Sequence, residues 1–325
     1  MNAARRWLAL VAILLPIASC ERISRSPCNY QHGGDCSLFV NGIKRTYVLH
    51  MPSNFRPASS ALVIAFHGAR GSGAEFEAST QLDKPADENG FAVAYPDGLG
   101  NSGGAASWNA YFNPTYDSNA PDDSAFAKQM IATLQSNLRP DPKKIYVTGF
   151  SAGAHMAHRV AIDLSDLVAA AGIVEGSVWV QHAGGTQKPP QPKSPVSVLI
   201  LHGDGDPVVR YCGVDNGKVT EASQDQTFEY WARANSCTHS STPSSLCTQF
   251  LGSPTPVMLK SASTCSSGTE VQFYRLVGGL HSWYAVPFNV PPGDATRPYN
   301  ANLNSSTGIT TNDILWNFFA SHAKP

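Results

Sequence analysis

The apolar positions fall into two kinds of segment. Short runs that are apolar throughout, such as Ala61–Phe66 (ALVIAF), read as strands buried on both faces. Longer stretches with apolar residues three and four apart read as helices packed along one side. Further strands are predicted over Phe91–Tyr95, Lys144–Thr148, Val168–Val174, Val196–His202 and Val271–Leu276. Helices are predicted over Ala74–Asn89, Asp123–Leu138, Ala152–Leu164, Gln224–Asn235 and Asn312–His322. In the second of these, Phe126, Met130, Ile131, Leu134 and Leu138 form one stripe, with Asp122 or Asp123 available as the cap. Strand and helix in alternation predict an α/β fold, a mostly parallel central sheet with helices on both faces. Ser37–Val40 and Thr46–Met51 flank Asn41-Gly42, a strong two-residue hairpin signal, so an antiparallel N-terminal hairpin opens the sheet. Two stretches break the rhythm, Asn101–Pro121 and the Pro-, Gly- and Gln-rich Gly176–Pro195; both are expected over the carboxyl edge of the sheet, where such folds bind ligands.

With 325 residues, 42% hydrophobic and 14% charged, the chain builds a sizeable core and is not disordered in composition. A single catalytic domain over residues 37–325 is expected, after a short segment at 20–36. The 23 basic and 24 acidic residues balance, which excludes nucleic acid as the main partner. Arg5 and Arg6 precede an apolar run, Trp7–Leu15, too short to span a bilayer comfortably, so residues 1–19 read as a signal peptide. Its ending, Ile17-Ala18-Ser19-Cys20, resembles a bacterial lipobox, with Cys20 as the acylated anchor; ordinary cleavage near Ser19 is the alternative. The chain is therefore expected to be exported, either secreted or tethered as a lipoprotein of the cell envelope. Six cysteines remain, an even number for an exported chain. The expected pairs are Cys28–Cys36, which brackets a short loop, Cys237–Cys265 and Cys212–Cys247. A metal cage is disfavoured, since no CxxC pair is present.

The sharpest chemistry lies at Gly149-Phe150-Ser151-Ala152-Gly153, a G-x-S-x-G between a strand and a helix pattern. The pentapeptide alone is a weak signal; the strand–turn–helix context makes it the signature of a nucleophile held on a tight turn, where bulky side chains two residues either side would collide with backbone. A serine hydroxyl needs a base oriented by an acid, and on this fold the order along the chain is Ser, Asp, His. The strand Val196–His202 runs into Gly203-Asp204-Gly205-Asp206-Pro207, which offers two aspartates. Pro207 fixes the backbone beside Asp206, whereas Asp204 between glycines has the surroundings of a turn former. Gly278-Gly279-Leu280-His281 follows the last strand, and its glycines let the loop bring His281 back over the sheet. His155 and His158, three apart on the predicted helix, are expected to be packing residues. The oxyanion needs two amides: Ala152 supplies one, and Ala69 in the glycine-rich Phe66–Gly71 segment supplies the other, with His67 holding that loop.

Seven ordered motifs then carry a resemblance: AFHGARGSGAEFE, AYPDG at 94–98, SWN at 107–109, GFSAGAHMAHRVA, LHGDGDPVVRY, GGLHSWY and the ending STGITTNDILWNFFASH. Together, over roughly residues 41–322, they resemble the polyhydroxybutyrate depolymerase and feruloyl esterase family of α/β-hydrolases. The resemblance implies an α/β-hydrolase fold, a triad of Ser151, Asp206 and His281, and no metal or cofactor. It favours Asp206 over Asp204. Leu280 and Tyr284 stand where the family commonly has Gly and Pro, which bears on the pocket rim.

The expected activity is that of a serine carboxylic ester hydrolase working through an acyl-enzyme, with activity rising through about pH 6 to 7 as the base becomes neutral. Of the many loop aromatics, Trp108 and Trp283 are the two expected to line the cleft. Polymer depolymerases of the family it resembles often carry a polymer-binding module behind a Thr- or Ser-rich linker; none is read after the last predicted helix, so feruloyl, aryl or short-chain acyl esters are expected over crystalline polymer. Hydroxyalkanoate oligomers are the alternative substrate, and a catalytically silent ligand-binding lipoprotein the alternative of another class. No protein partner is implied.

Overall fold

The computed structural model describes residues 28–100, 106–110, 121–182, 189–216, 219–240, 257–276, 278–284 and 310–324. The predicted signal peptide, Cys20 and Cys247 lie outside these residues.

The chain opens with β1 (Gly34–Val40) and β2 (Ile43–His50), paired antiparallel up to Val40 opposite Ile43. Asn41 and Gly42 between them have φ of 50° and 79°, the two left-handed residues that a hairpin turn of this length demands. There follow β3 (Leu62–Phe66), α1 (Gly73–Thr80), α2 (Asp83–Asn89), β4 (Ala92–Pro96), α3 (Asp123–Leu138), β5 (Ile145–Phe150), α4 (Ala152–Asp163), β6 (Ala170–Val174), β7 (Val180–His182), β8 (Ser197–Gly203), β9 (Val214–Asp215), β10 (Val219–Glu221), α5 (Gln224–Ala234), β11 (His239–Ser240), β12 (Val257–Ser263), β13 (Val271–Leu276) and α6 (Thr311–Ser321). The main sheet runs β1-β2-β4-β3-β5-β6-β8-β13-β12-β11, parallel from β4 to β13 and antiparallel beyond both. The antiparallel hairpin was expected; the second antiparallel edge, β12 and β11, was not. Strands β7, β10 and β9 form a separate three-stranded sheet.

Alternate residues of the central strands face opposite ways, so the sheet carries a core on each side. Leu62, Ile64 and Phe66 pack with Phe126, Met130 and Ile131 of α3 and Met156 and Val160 of α4. Val63 and Ala65 pack with Phe76 of α1 and Ile314, Leu315 and Phe318 of α6. Asp122 is the cap of α3, accepting from the amides of Ser124 and Ala125, which frees Asp123 to pair with the buried Arg45 at 2.6 Å.

The single helix expected over Ala74–Asn89 is two. Gln81 turns left-handed at φ 53° to close α1, and Pro85 falls in the first turn of α2. There its missing N–H costs nothing, whereas inside one continuous helix the ring would strike the carbonyl of Gln81. Cys28–Cys36 and Cys237–Cys265 are disulfide-bonded as expected. Disulfides belong to an oxidising compartment. The Cys212–Cys247 pairing falls partly outside the described residues. Among the described residues, no helix is long and apolar enough to cross a membrane.

Candidate active site

Strand β5 ends at Phe150, and the next residue, Ser151, has φ 56° and ψ −120° before α4 begins. A non-glycine residue held there stores about 1–3 kcal/mol of strain, a cost tolerated where geometry is functional. The flanking glycines are obligatory in this turn. A Cβ on Gly149 would lie 2.1 Å from the carbonyl oxygen of Gly153, and one on Gly153 would lie 2.0 Å from that of Phe66. The amide of Ser151 donates to Val174 at 3.0 Å, pinning the turn to the end of β6. Its hydroxyl makes no capping bond to α4.

The loops that carry Asp206 and His281 leave neighbouring strands, β8 and β13. They meet where Gly203 touches Gly279, since a Cβ on Gly203 would sit 2.3 Å from the Gly279 oxygen. Asp206 accepts from the amides of Val208 (2.7 Å) and Val209 (3.0 Å) through Oδ1. Through Oδ2 it meets Nδ1 of His281 at 2.6 Å. Burial alone would raise the Asp206 carboxyl, but the hydrogen bonds from His281 and Val208 outweigh it and hold the group below the usual carboxylate range. Asp204 is used otherwise: it accepts from the amide of Gly278 at 2.6 Å and pairs with Arg275 at 2.8 Å, which holds the turn. The ring of His281 lies 4.8 Å from that of Phe150, centroid to centroid, so the His281 loop packs on the residue preceding Ser151.

The loop after β3 is held by His67. Its Nε2 accepts from Gly98 at 3.0 Å while Nδ1 bonds the Gly68 carbonyl at 2.6 Å, which requires the neutral Nδ1–H form. Burial lowers its pKa accordingly. Arg70, at φ 67°, donates its amide to Ala106. Among the described residues the amides of Ala69 and Ala152 have no acceptor, as donors reserved for a reacting oxygen would be.

The expectation for Trp108 is corrected. It is 0% exposed, stands edge-on to Phe66, and donates its indole N–H to the His67 carbonyl at 2.8 Å. An indole with one polar tip and a large apolar body serves as a strut beneath the loop that carries Ala69, not as a cleft wall. Trp283 is partly buried, edge-on to Phe76, with its N–H on Asn312 of α6 at 3.0 Å. His158 is buried as a packing residue, its Nδ1 accepting from Trp231.

Three residues beside Asp206 and His281 escaped sequence reasoning: Val208, Glu221 and Glu175. Val208 (62% exposed), two residues after Asp206, and Leu280 (45% exposed), the residue before His281, are exposed apolar side chains. Glu221 accepts from Ser177 at 3.1 Å, and burial pushes its carboxyl up to about 7. Glu175, fully buried, brings a carboxyl oxygen close to Asp206 and His281, one oxygen or nitrogen from each of the three lying within 4.8 Å of the others. The 2.6 Å separation of His281 and Asp206 is shorter than two ligands about 2 Å from one ion would keep, so that contact is a hydrogen bond and not a shared coordination sphere. The only trace of Glu175 in the sequence is an acid closing an apolar run.

Residues 45–187 match the family described as Esterase PHB depolymerase. This stretch belongs to that family. It contains the His67–Arg70 loop and Ser151, while Asp206 and His281 follow it. Feruloyl esterase B of Piromyces equi is 30% identical over 247 residues, 73% of this chain and 42% of that protein. Poly(3-hydroxyalkanoate) depolymerase C of Paucimonas lemoignei is 32% identical over 130 residues, 40% of this chain and 31% of that protein. The chain thus spans less than half the length of these relatives. Thermogutta terrifontis esterase 2, phosphorylated by paraoxon, superposes with a TM-score of 0.51 over 91% of this chain and 97% of its own, at 15% identity. That likeness establishes the α/β-hydrolase fold.

Proposed function

We propose that the protein is an exported serine hydrolase of carboxylic esters. The observation that carries this reading is the 2.6 Å His281–Asp206 pair packed through Phe150 against a strained serine turn. Ser151 Oγ attacks the ester carbonyl while His281 Nε2 takes its proton, and Asp206 stabilises the imidazolium. The amides of Ala69 and Ala152 hold the oxyanion. His281 passes its proton to the departing alcohol, leaving an acyl-enzyme; water, activated by the same imidazole, then releases the acid.

The substrate is a feruloyl or other aryl ester, or a short-chain acyl ester. The feruloyl esterase relative supports this, as do the exposed apolar side chains of Val208 and Leu280 next in the chain to Asp206 and His281. Hydroxyalkanoate oligomers are a second reading, favoured by the family description and by the depolymerase relative. Export is supported by the disulfides and by the pattern of residues 1–20, with Cys20 as a lipid anchor.

A panel of methyl ferulate, p-nitrophenyl acetate, p-nitrophenyl butyrate and hydroxybutyrate trimer, assayed separately on soluble and membrane fractions, tests the reading. Turnover of methyl ferulate above the trimer, with the activity in the membrane fraction, is the expected result. Preference for the trimer would shift the substrate to the polyester class. An absence of turnover on every ester would leave a silent binding protein as the better account.

A further inference from the structure

Glu175 follows β6 with φ 52°, a left-handed conformation that a non-glycine residue rarely adopts. The next residue, Gly176, lets the chain pass against α4, since a Cβ there would lie 2.4 Å from that of Ala154. This turn carries Glu175 beneath the acid loop. The amide of Gly203 donates to both of its oxygens, at 3.0 and 3.1 Å, and His202 Nδ1 lies 3.2 Å from Oε2. The side chains of Glu175, His202 and Asp206 are all fully buried.

His202 brings no charge to this cluster. Its Nδ1 bonds the Gly203 carbonyl at 3.0 Å and so carries the ring proton, which leaves Nε2 bare, facing Asp206 Oδ2 at 3.8 Å without a partner. Burial holds its pKa down at about 4. The remaining charged groups around the acid loop are His281 on Asp206, Asp204 paired with Arg275, and Glu221 and Arg210 farther out. Among the described residues no lysine or arginine contacts Glu175. Two carboxyls this close in a dry site cannot both be ionised without a cation between them. Asp206, with two amides and an imidazole, is the better place for the charge, and burial together with the Asp206 charge raises Glu175 well above the ordinary carboxyl range.

We propose that Glu175 is a positioning residue for the triad, an uncharged carboxylic acid that anchors the Gly203 amide and turns its O–H toward Asp206, fixing how Asp206 meets His281. The inference rests on the hydrolytic reading of Ser151.

Two variants test it through the pH dependence of kcat/KM. Glu175→Gln keeps an oxygen for the Gly203 amide and offers N–H where the O–H stood. Its activity is expected within about threefold of the parent, with the pH midpoint of the acid limb unmoved, because no charge has been removed. Glu175→Ala removes both contacts. It is expected to lose tenfold or more in kcat with KM within about twofold, and its midpoint is expected to rise by about half a pH unit, since Asp206 loses a donor that spreads its charge. A Gln variant as impaired as the Ala variant would overturn the proposal. So would a Gln midpoint lower by half a unit or more, the mark of a deleted negative charge, or an Ala variant with the parent's kcat and profile. If the Ala variant does not fold, the Gln midpoint decides. Failure of the hydrolytic reading appears separately, as a parent protein that turns over no ester, and the inference then falls with it.

Discussion

Replacing Asp206 with Asn is expected to lower kcat on the best ester by about four orders of magnitude while leaving the fold intact. The reason lies in how its two oxygens are engaged. Oδ1 accepts the amides of Val208 and Val209, so an asparagine must place its carbonyl there and turn its NH₂ toward His281. Facing a donor, the imidazole exchanges its Nδ1–H for an Nε2–H, and the nitrogen directed at the serine can no longer accept a proton. Asp204→Asn is the matched control. It weakens the Arg275 pair and the Gly278 turn but leaves the His281 contact in place, and a loss of no more than about tenfold is expected. Steady-state kinetics, with circular dichroism on both variants, checks this. Equal losses in the two would show that the acid has been misassigned.

Adding one methyl group at Gly153 is expected to be among the most damaging small changes at the described residues. Its Cβ would lie 2.0 Å from the Phe66 carbonyl, a backbone atom in the middle of the sheet that cannot rotate away. Either α4 lifts from β3 or the loop carrying His67 and Ala69 moves, and both outcomes displace the serine relative to the oxyanion amides. Overpacking of this kind costs about 3 kcal/mol, at the upper end for a single added carbon. Gly153→Ala should therefore lower the thermal midpoint by several degrees and cut kcat/KM at least a hundredfold. Gly268→Ala is the comparison. It has φ 68° but nothing within 4 Å of the new Cβ, so only the conformational strain of about 1 kcal/mol remains and activity should be unchanged. Differential scanning calorimetry with ester kinetics reads both effects. A Gly153→Ala protein as stable and active as its parent would mean that the close approach of α4 and β3 is not a feature of the folded chain.

Both changes concern features visible in the sequence, and the reasons differ. Central strands such as Leu62–Phe66 are buried on both faces and are forced to be apolar throughout, so their position is legible from composition alone. The serine turn is legible because backbone crowding leaves only glycine at 149 and 153. That Asp206 and His281 follow strands at the carboxyl edge was legible, but Asp204 follows the same strand, and it took the resemblance to favour Asp206, the aspartate that the structure pairs with His281. The second antiparallel edge was not legible, since β12 has no helix before β13 and its run VMLKSAS lacks a clear period. The break between α1 and α2 was missed because the helical pattern continues through Gln81 while Pro85 acts only on the backbone. Trp108 shows a further limit: sequence places an aromatic in a loop near the site but cannot tell a buried strut from a cleft wall. Glu175 was invisible for the same reason, since burial beside a second carboxyl is a tertiary fact.

The central claim is that Ser151 is an activated nucleophile, and covalent labelling reads that directly. Treatment of the folded protein with a fluorophosphonate probe, followed by proteolysis and mass spectrometry, is expected to find one adduct, on the peptide containing Ser151. Labelling should be abolished in Ser151→Ala and reduced at least a hundredfold in His281→Ala. An unlabelled Ser151, or an adduct on another serine that survives loss of His281, would contradict the account.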